Sequence, residues 1–286
     1  MRTALLAPGL VVALAVGGCA EQASSGGALA SAPVPRSSPT STVASPTTTA
    51  TPPVVETPEG VAAGLSAVEA AIRDPATPEA DLPALGREQQ GLYRLIVRNP
   101  DWQPKVASLV PAALRPAVEA NALAGVELAR LSRPQPQLPK WRIVPPPPAS
   151  ELLAEYKAAQ QAVGVPWEYL AAIHLVETRM GRIRGDSSAG AKGPMQFLPS
   201  TWAIYGRGGD INSTHDSILA AARLLRARGA PGNMAAALYA YNPSQRYVRA
   251  VTAYAGVIAA NERTYLAYHG WQVFYGDTLL PEGWVG

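Results

Sequence analysis

The chain has 286 residues with a net charge of +3, 28 Pro, 25 Gly, one Cys and only 16% charged residues. This mild positive balance, without any basic run, excludes a nucleic-acid-binding footprint, and the Pro content marks part of the chain as linker. Cys19 stands alone, so no intramolecular disulfide forms; with only His174, His215 and His269 beside it, no Cys/His metal site is expected, and no cofactor.

Arg2 opens a short positive region, and residues 4–16 are apolar apart from the break at Pro8 and Gly9. That stretch is too short to span a bilayer as a mature helix. It ends in the small residues Gly17 and Gly18 before Cys19, the charged, apolar, small layout of a secretory signal over residues 1–18. With Cys19 at its boundary it resembles a bacterial lipoprotein signal. That resemblance implies that Cys19 is acylated and holds the chain at the outer face of the cytoplasmic membrane.

Residues 19–56 are almost entirely Ser, Thr, Pro, Ala and Gly, without apolar periodicity, and read as a disordered, extended tether. Residues 57–133 read as a small helical module. Thr57-Pro58 and Thr77-Pro78 each place a capping hydroxyl before a proline, and Val61, Leu65, Val68 and Ile72 follow at helical spacing. The carboxylates of this module (Glu69, Asp81, Glu88, Glu119, Glu127) read as solvated helix faces. Residues 134–149 are a second Pro-rich linker, ending in Pro145 to Pro148.

Residues 150–286 carry the chemistry. Ser150 is expected to cap a helix that Gly164 ends. The next helix starts at Pro166 and runs to Met180, with Gly181 as its stop. Leu170, Ile173 and Glu177 fall at i, i+3 and i+7, which puts the carboxylate on the apolar stripe. A desolvated carboxyl keeps its proton near neutrality and can donate it to a leaving oxygen. The alternative is a buried Glu177 paired with Arg179, Arg182 or Arg184. Downstream, residues 187–197 (SSAGAKGPMQF) form a small-residue loop in which Gln196 offers both donor and acceptor. Pro199 opens another helix, and Tyr239, Tyr241 and Asn242 gather at the end of a further one.

Glu177-Thr178 ending a helix, then Ser-x-Gly-Ala-x-Gly-x-Met-Gln, then Ala240-Tyr241-Asn242 with Tyr247-Val248 resembles the lytic murein transglycosylases, whose catalytic fold is similar to goose-type lysozyme. The match covers about residues 150–270. It implies a mainly α, lysozyme-like catalytic domain after the helical module and tether, with a short hairpin near residues 184–195. It implies cleavage of the β-1,4 bond between N-acetylmuramic acid and N-acetylglucosamine in peptidoglycan strands, leaving 1,6-anhydro ends. Glu177 then serves as both acid and base. Met195 and Gln196 match the sugar-contacting pair, and Tyr241 with Asn242 matches the Ala-Tyr-Asn motif. Ser187 or Ser188 matches the loop serine, and spacing does not choose between them. Thr178, Pro194 and Pro243-Ser244 depart from the family pattern, which bears on the subsites more than on the acid.

Three readings stand side by side: an anhydro-forming transglycosylase, a hydrolytic muramidase on the same fold, and a non-catalytic peptidoglycan-binding lipoprotein. Asp186 is the candidate second carboxylate of the hydrolase, and otherwise a turn former. Asp210 reads as turn chemistry and His174 as a core or rim histidine. Trp202, Tyr205 and Tyr239 are either groove walls or core.

Overall fold

The computed structural model describes residues 56–131 and 136–286; the expected signal, Cys19 and the tether through residue 55 lie outside the described residues. The described chain is mainly helical. The first helices are α1 (Pro58–Arg73), α2 (Leu82–Arg98), α3 (Gln103–Leu109) and α4 (Arg115–Leu131). After them come α5 (Ala149–Val163), α6 (Trp167–Thr178), α7 (Pro199–Tyr205), α8 (Thr214–Ala227), α9 (Met234–Tyr241), α10 (Gln245–Ala260) and α11 (Arg263–His269). Two small antiparallel ribbons pair β1 (Arg142–Ile143) with β2 (Ile183–Arg184), and β3 (Val273–Tyr275) with β4 (Thr278–Leu280). No described helix is long and apolar enough to cross a membrane.

Local chemistry sets most of the helix ends. Thr57 accepts from the Gly60 amide at 3.1 Å and caps α1 as its hydroxyl predicts. Thr77 does not cap α2: a 3-10 turn over Glu79–Asp81 intervenes, and α2 starts at Leu82. Ser150 lies inside the first turn of α5 rather than at its cap, because Pro148 already supplies the extended entry. Gly164 ends α5 in the left-handed region. α6 stops at Thr178, two residues earlier than expected, since Arg179 and Met180 turn to φ 52 and 56.

The segments before and after the Pro-rich stretch share one continuous apolar core, from Val61 in α1 to Trp271 beyond α11. α4 lies along α10, and α2 along α11. A Cβ on Gly86 of α2 would stand 1.8 Å from the Ala267 carbonyl oxygen, so only glycine permits this approach. Glu127 of α4 accepts from Arg249 of α10 at 2.7 Å across the same seam. Glu127 and Glu69 are both buried, not solvated as their spacing suggested; Asp81 and Glu119 are exposed and Glu88 half-buried.

The expected linker, described from residue 136, is docked rather than free. Trp141 and Ile143 bury beside Ile183, Val273 and Leu280 in a second small cluster. The Val144 amide donates to the Arg182 carbonyl at 2.9 Å, and the Pro147 carbonyl is 2.9 Å from His269 Nε2. Proline lacks a donor but keeps its carbonyl, so a Pro-rich strand can still seat at an edge. No hairpin forms within residues 184–195: β2 pairs back to β1 in this segment, and Lys192 instead bridges Phe197.

Candidate active site

Glu177 lies in the last turn of α6, a helix whose residues from Leu170 to Thr178 are all buried. Burial on every side, rather than on one stripe, is what removes its carboxyl from water. Glu177 is 4% exposed, and its Oε1 accepts from the Tyr247 hydroxyl of α10 at 2.8 Å. None of the three nearby arginines pairs with it. Arg179 donates to the Leu175 carbonyl, Arg182 to Glu282 and the His269 carbonyl, and Arg184 lies on the β1–β2 ribbon opposite Arg142. Desolvation pushes the Glu177 carboxyl up to about 8, against a smaller downward pull from the Tyr247 hydrogen bond. The group is therefore a protonated acid at neutral pH.

The loop after β2 is fastened to α6 and α9. Thr178 Oγ1 donates to the Pro194 carbonyl at 2.6 Å, and the Tyr241 hydroxyl to the Met195 carbonyl at 2.6 Å. Lys192 and Phe197 exchange both backbone hydrogen bonds at 2.9 Å, closing the four residues between them into a tight turn. Gly193 sits there at φ 73, and a Cβ would stand 1.9 Å from the Ile211 carbonyl oxygen. Gln196 holds φ 50, a conformation that costs a non-glycine residue about 1–2 kcal/mol. Its Nε2 donates to the Gly193 carbonyl at 2.9 Å and to the Gly185 carbonyl at 3.4 Å, while Oε1 has no partner. The donor side of this amide is thus spent on the loop, and its acceptor oxygen is buried without a protein partner.

Tyr241 links this loop to the acid. Its ring stacks on Tyr247 at 6.2 Å and 4°, and packs edge-on against Phe197. Its outer face borders a cleft with about 250 Å3 of space open to water that Gln196, Thr201, Tyr205, Tyr239 and Arg228 also line. Tyr239 and Ile204 are exposed at its rim, at 44% and 61%. Glu177 is not among the residues that wall this cleft; it is joined to it through Tyr247, which hydrogen-bonds Glu177 and stacks on Tyr241. Such a trough of aromatic rings with sparse polar groups suits a pyranose chain, whose apolar faces stack and whose hydroxyls hydrogen-bond.

The other expected residues divide. Met195 is fully buried, so its side chain contacts core and only its carbonyl serves the site. Ser187 is buried too, and its Oγ accepts from the Ala189 and Ala191 amides, tying the loop rather than facing a ligand. Ser188 is exposed. Asn242 is buried at the C-cap of α9. Trp202 packs on Phe197, whereas Tyr205 and Tyr239 do line the cleft. His174 is fully buried 2.7 Å from the Tyr156 hydroxyl, and burial pushes it down to about 3, so it stays neutral. Asp186 is ion-paired with Lys192, and Asp210 accepts from the Asn212 amide within its turn. Spacing alone did not nominate Tyr247: it lies 70 positions from Glu177 and meets it only through the packing of α10 on α6.

No group of three or more His, Cys, Asp or Glu side chains capable of holding a metal ion occurs among the described residues. Set against protein-family models, curated proteins and solved structures, the chain finds no match.

Proposed function

We propose that this protein is a lytic transglycosylase that cleaves the β-1,4 bond between N-acetylmuramic acid and N-acetylglucosamine in peptidoglycan. The observation that carries the reading is Glu177: a carboxyl sealed in apolar surroundings, held by one hydroxyl, uncompensated by any cation and protonated to about pH 8. A structural carboxylate has no reason to be left so. The neighbouring aromatic cleft at Tyr239 and Tyr241 supplies a surface for the glycan.

In this mechanism Glu177 donates its proton to the glycosidic oxygen as the bond to muramoyl C1 breaks. Charge then develops on C1 and the ring oxygen, as in other glycoside cleavages. The Glu177 carboxylate, still hydrogen-bonded to Tyr247, takes the proton of the muramoyl C6 hydroxyl while that oxygen closes on C1. The acid is restored and a 1,6-anhydro ring is left. No second carboxylate is needed, which suits an Asp186 already paired with Lys192. We place the protein at the outer face of the cytoplasmic membrane through acylated Cys19, with its partner the surrounding glycan strands.

Mass spectrometry of peptidoglycan digested by the purified protein, beside Glu177→Gln, tests the reading. Muropeptides with anhydro-muramic ends, one water lighter than hydrolysis products and missing with the variant, are expected. Reducing ends make the protein a muramidase. Binding without any product from several wall types makes it a binding lipoprotein.

A further inference from the structure

A second cleft opens at the seam where α2 and α4 meet α6, α10 and the entry to β3. It holds about 50 Å3 of space open to water, continues into solvent, and shares no lining residue with the cleft at Tyr241. Most of its wall is apolar or aromatic, including Val97, Leu128, Val176, Trp271 and Phe274. Two guanidinium groups, those of Arg94 and Arg179, stand in this wall.

Arg179 is the unusual one. It is 8% exposed, yet no carboxylate lies within ion-pair distance of it among the described residues. Its Nη1 donates to the Leu175 carbonyl at 3.0 Å, and its Nε has no partner. The guanidinium lies 5.5 Å from the centre of the Trp271 ring, a contact that offsets only part of what a buried charge costs. Burial lowers its pKa to about 10, which leaves it cationic at neutral pH.

Arg94 is seated over the Phe274 ring at 3.7 Å and donates to the Gly276 carbonyl at 3.1 Å. The one acid at this rim, Asp277, is 3.3 Å from Arg94 and 3.8 Å from Arg98, so two cations already share it. The local balance is three arginines to one aspartate, with the innermost arginine unanswered. A buried cation without a counter-charge is resolved when an anion enters.

We propose that this cleft binds a small organic carboxylate, its carboxyl group held by Arg94 and Arg179 and its apolar body laid against Trp271 and Phe274. The planar, singly charged carboxylate matches the guanidinium fork, while a doubly charged phosphate would lose far more hydration among these apolar walls. The site is independent of the glycan reaction and stands whether or not that reading does.

Thermal unfolding of the purified full chain, titrated with benzoate and with its neutral isostere benzamide, tests this. Benzoate is expected to raise the midpoint saturably, as a ligand of the folded state must, and benzamide to leave it unmoved. Arg94→Gln and Arg179→Gln each raise the half-saturating benzoate concentration about tenfold or more, the effect of one lost charge-assisted contact. Tyr239→Ala, in the other cleft, leaves it unchanged. Should Arg179→Gln fail to fold, Arg94→Gln at the rim carries the test. Equal shifts from both probes, no saturation, unaltered affinity in the arginine variants, or loss in Tyr239→Ala each overturn the proposal.

Discussion

Glu69 in α1 and Glu177 in α6 are both closed off from solvent, at 0% and 4% exposure, but their surroundings differ in number and in sign. Glu69 is ion-paired with Arg73 and accepts from Gln89, Tyr93 and Asn121; Tyr268 extends the network by donating to Asn121. Glu177 has one neutral donor, Tyr247, and no cation. Fully met, a buried carboxylate fastens α1, α2, α4 and α11 together. Barely met, the same group is held in its acid form. Burial alone therefore does not nominate a carboxyl for catalysis; burial left uncompensated makes it a candidate.

The largest effect should come from exchanging the charge of each. Glu177→Gln is expected to lower glycan cleavage about a thousandfold, the scale of general acid–base catalysis, while the fold persists. It should also stabilise the protein at pH 8. Because the folded carboxyl titrates near 8 instead of 4.5, the native state keeps its proton as the unfolded chain loses it. Stability is then complete below about pH 4.5, falls progressively up to about pH 8, and is a few kcal/mol lower above that. Midpoints measured at pH 5 and pH 8 should diverge in wild type and converge in Glu177→Gln. Activity should fall above about pH 8 as the acid ionises. By contrast, Glu69→Ala should cost about 3 kcal/mol in denaturant unfolding, since it strands Arg73 and three hydrogen-bond donors, yet leave turnover per folded molecule unchanged. If Glu69→Ala proves neutral, the contrast between the two sites is lost.

How these sites read from sequence follows from the range of the forces involved. Glu177 is nominated by local pattern, but for an incomplete reason: α6 is buried all round, so the i, i+3, i+7 stripe is one part of a fully enclosed surface. Glu69 is missed because Gln89, Tyr93 and Asn121 lie 20, 24 and 52 positions away, and only Arg73 is one helical turn from it. The Pro-rich segment after residue 135 reads as linker by composition, since proline removes donors; its docking depends on retained carbonyls and on Trp141, which composition undervalues. Helix identity in the second half is legible from prolines, glycines and apolar spacing. The shared core is not, because it arises from α4 meeting α10 and α2 meeting α11 across more than a hundred residues.

A middle-sized effect isolates the one donor. Tyr247→Phe removes the hydroxyl that holds Glu177 Oε1 while keeping the ring stacked on Tyr241. Burial then raises the carboxyl without that opposing pull, so the alkaline limb of the rate profile should move to higher pH. Turnover should drop about tenfold from looser positioning, within the usual worth of a hydrogen bond to a charged group. A rate profile identical to wild type would mean that Tyr247 only fills space.

The smallest effect should come from Asp186, and it is the one that separates two chemistries. Hydrolysis by two carboxylates needs a second acid free to hold water or attack C1 at a fixed distance from the first. Asp186 has a side chain 53% exposed and spends its charge on Lys192, itself 43% exposed, so solvent screens the pair heavily. Asp186→Asn is accordingly expected to change the initial rate by less than about threefold and to leave the products as anhydro ends. A hundredfold loss with reducing-end products in wild type would show that the two-carboxylate chemistry operates and that Glu177 does not act alone. A small loss with anhydro products retained would leave Glu177 as the sole proton carrier, which is what the contrast with Glu69 requires: one carboxyl left unmet because both of its protonation states are used.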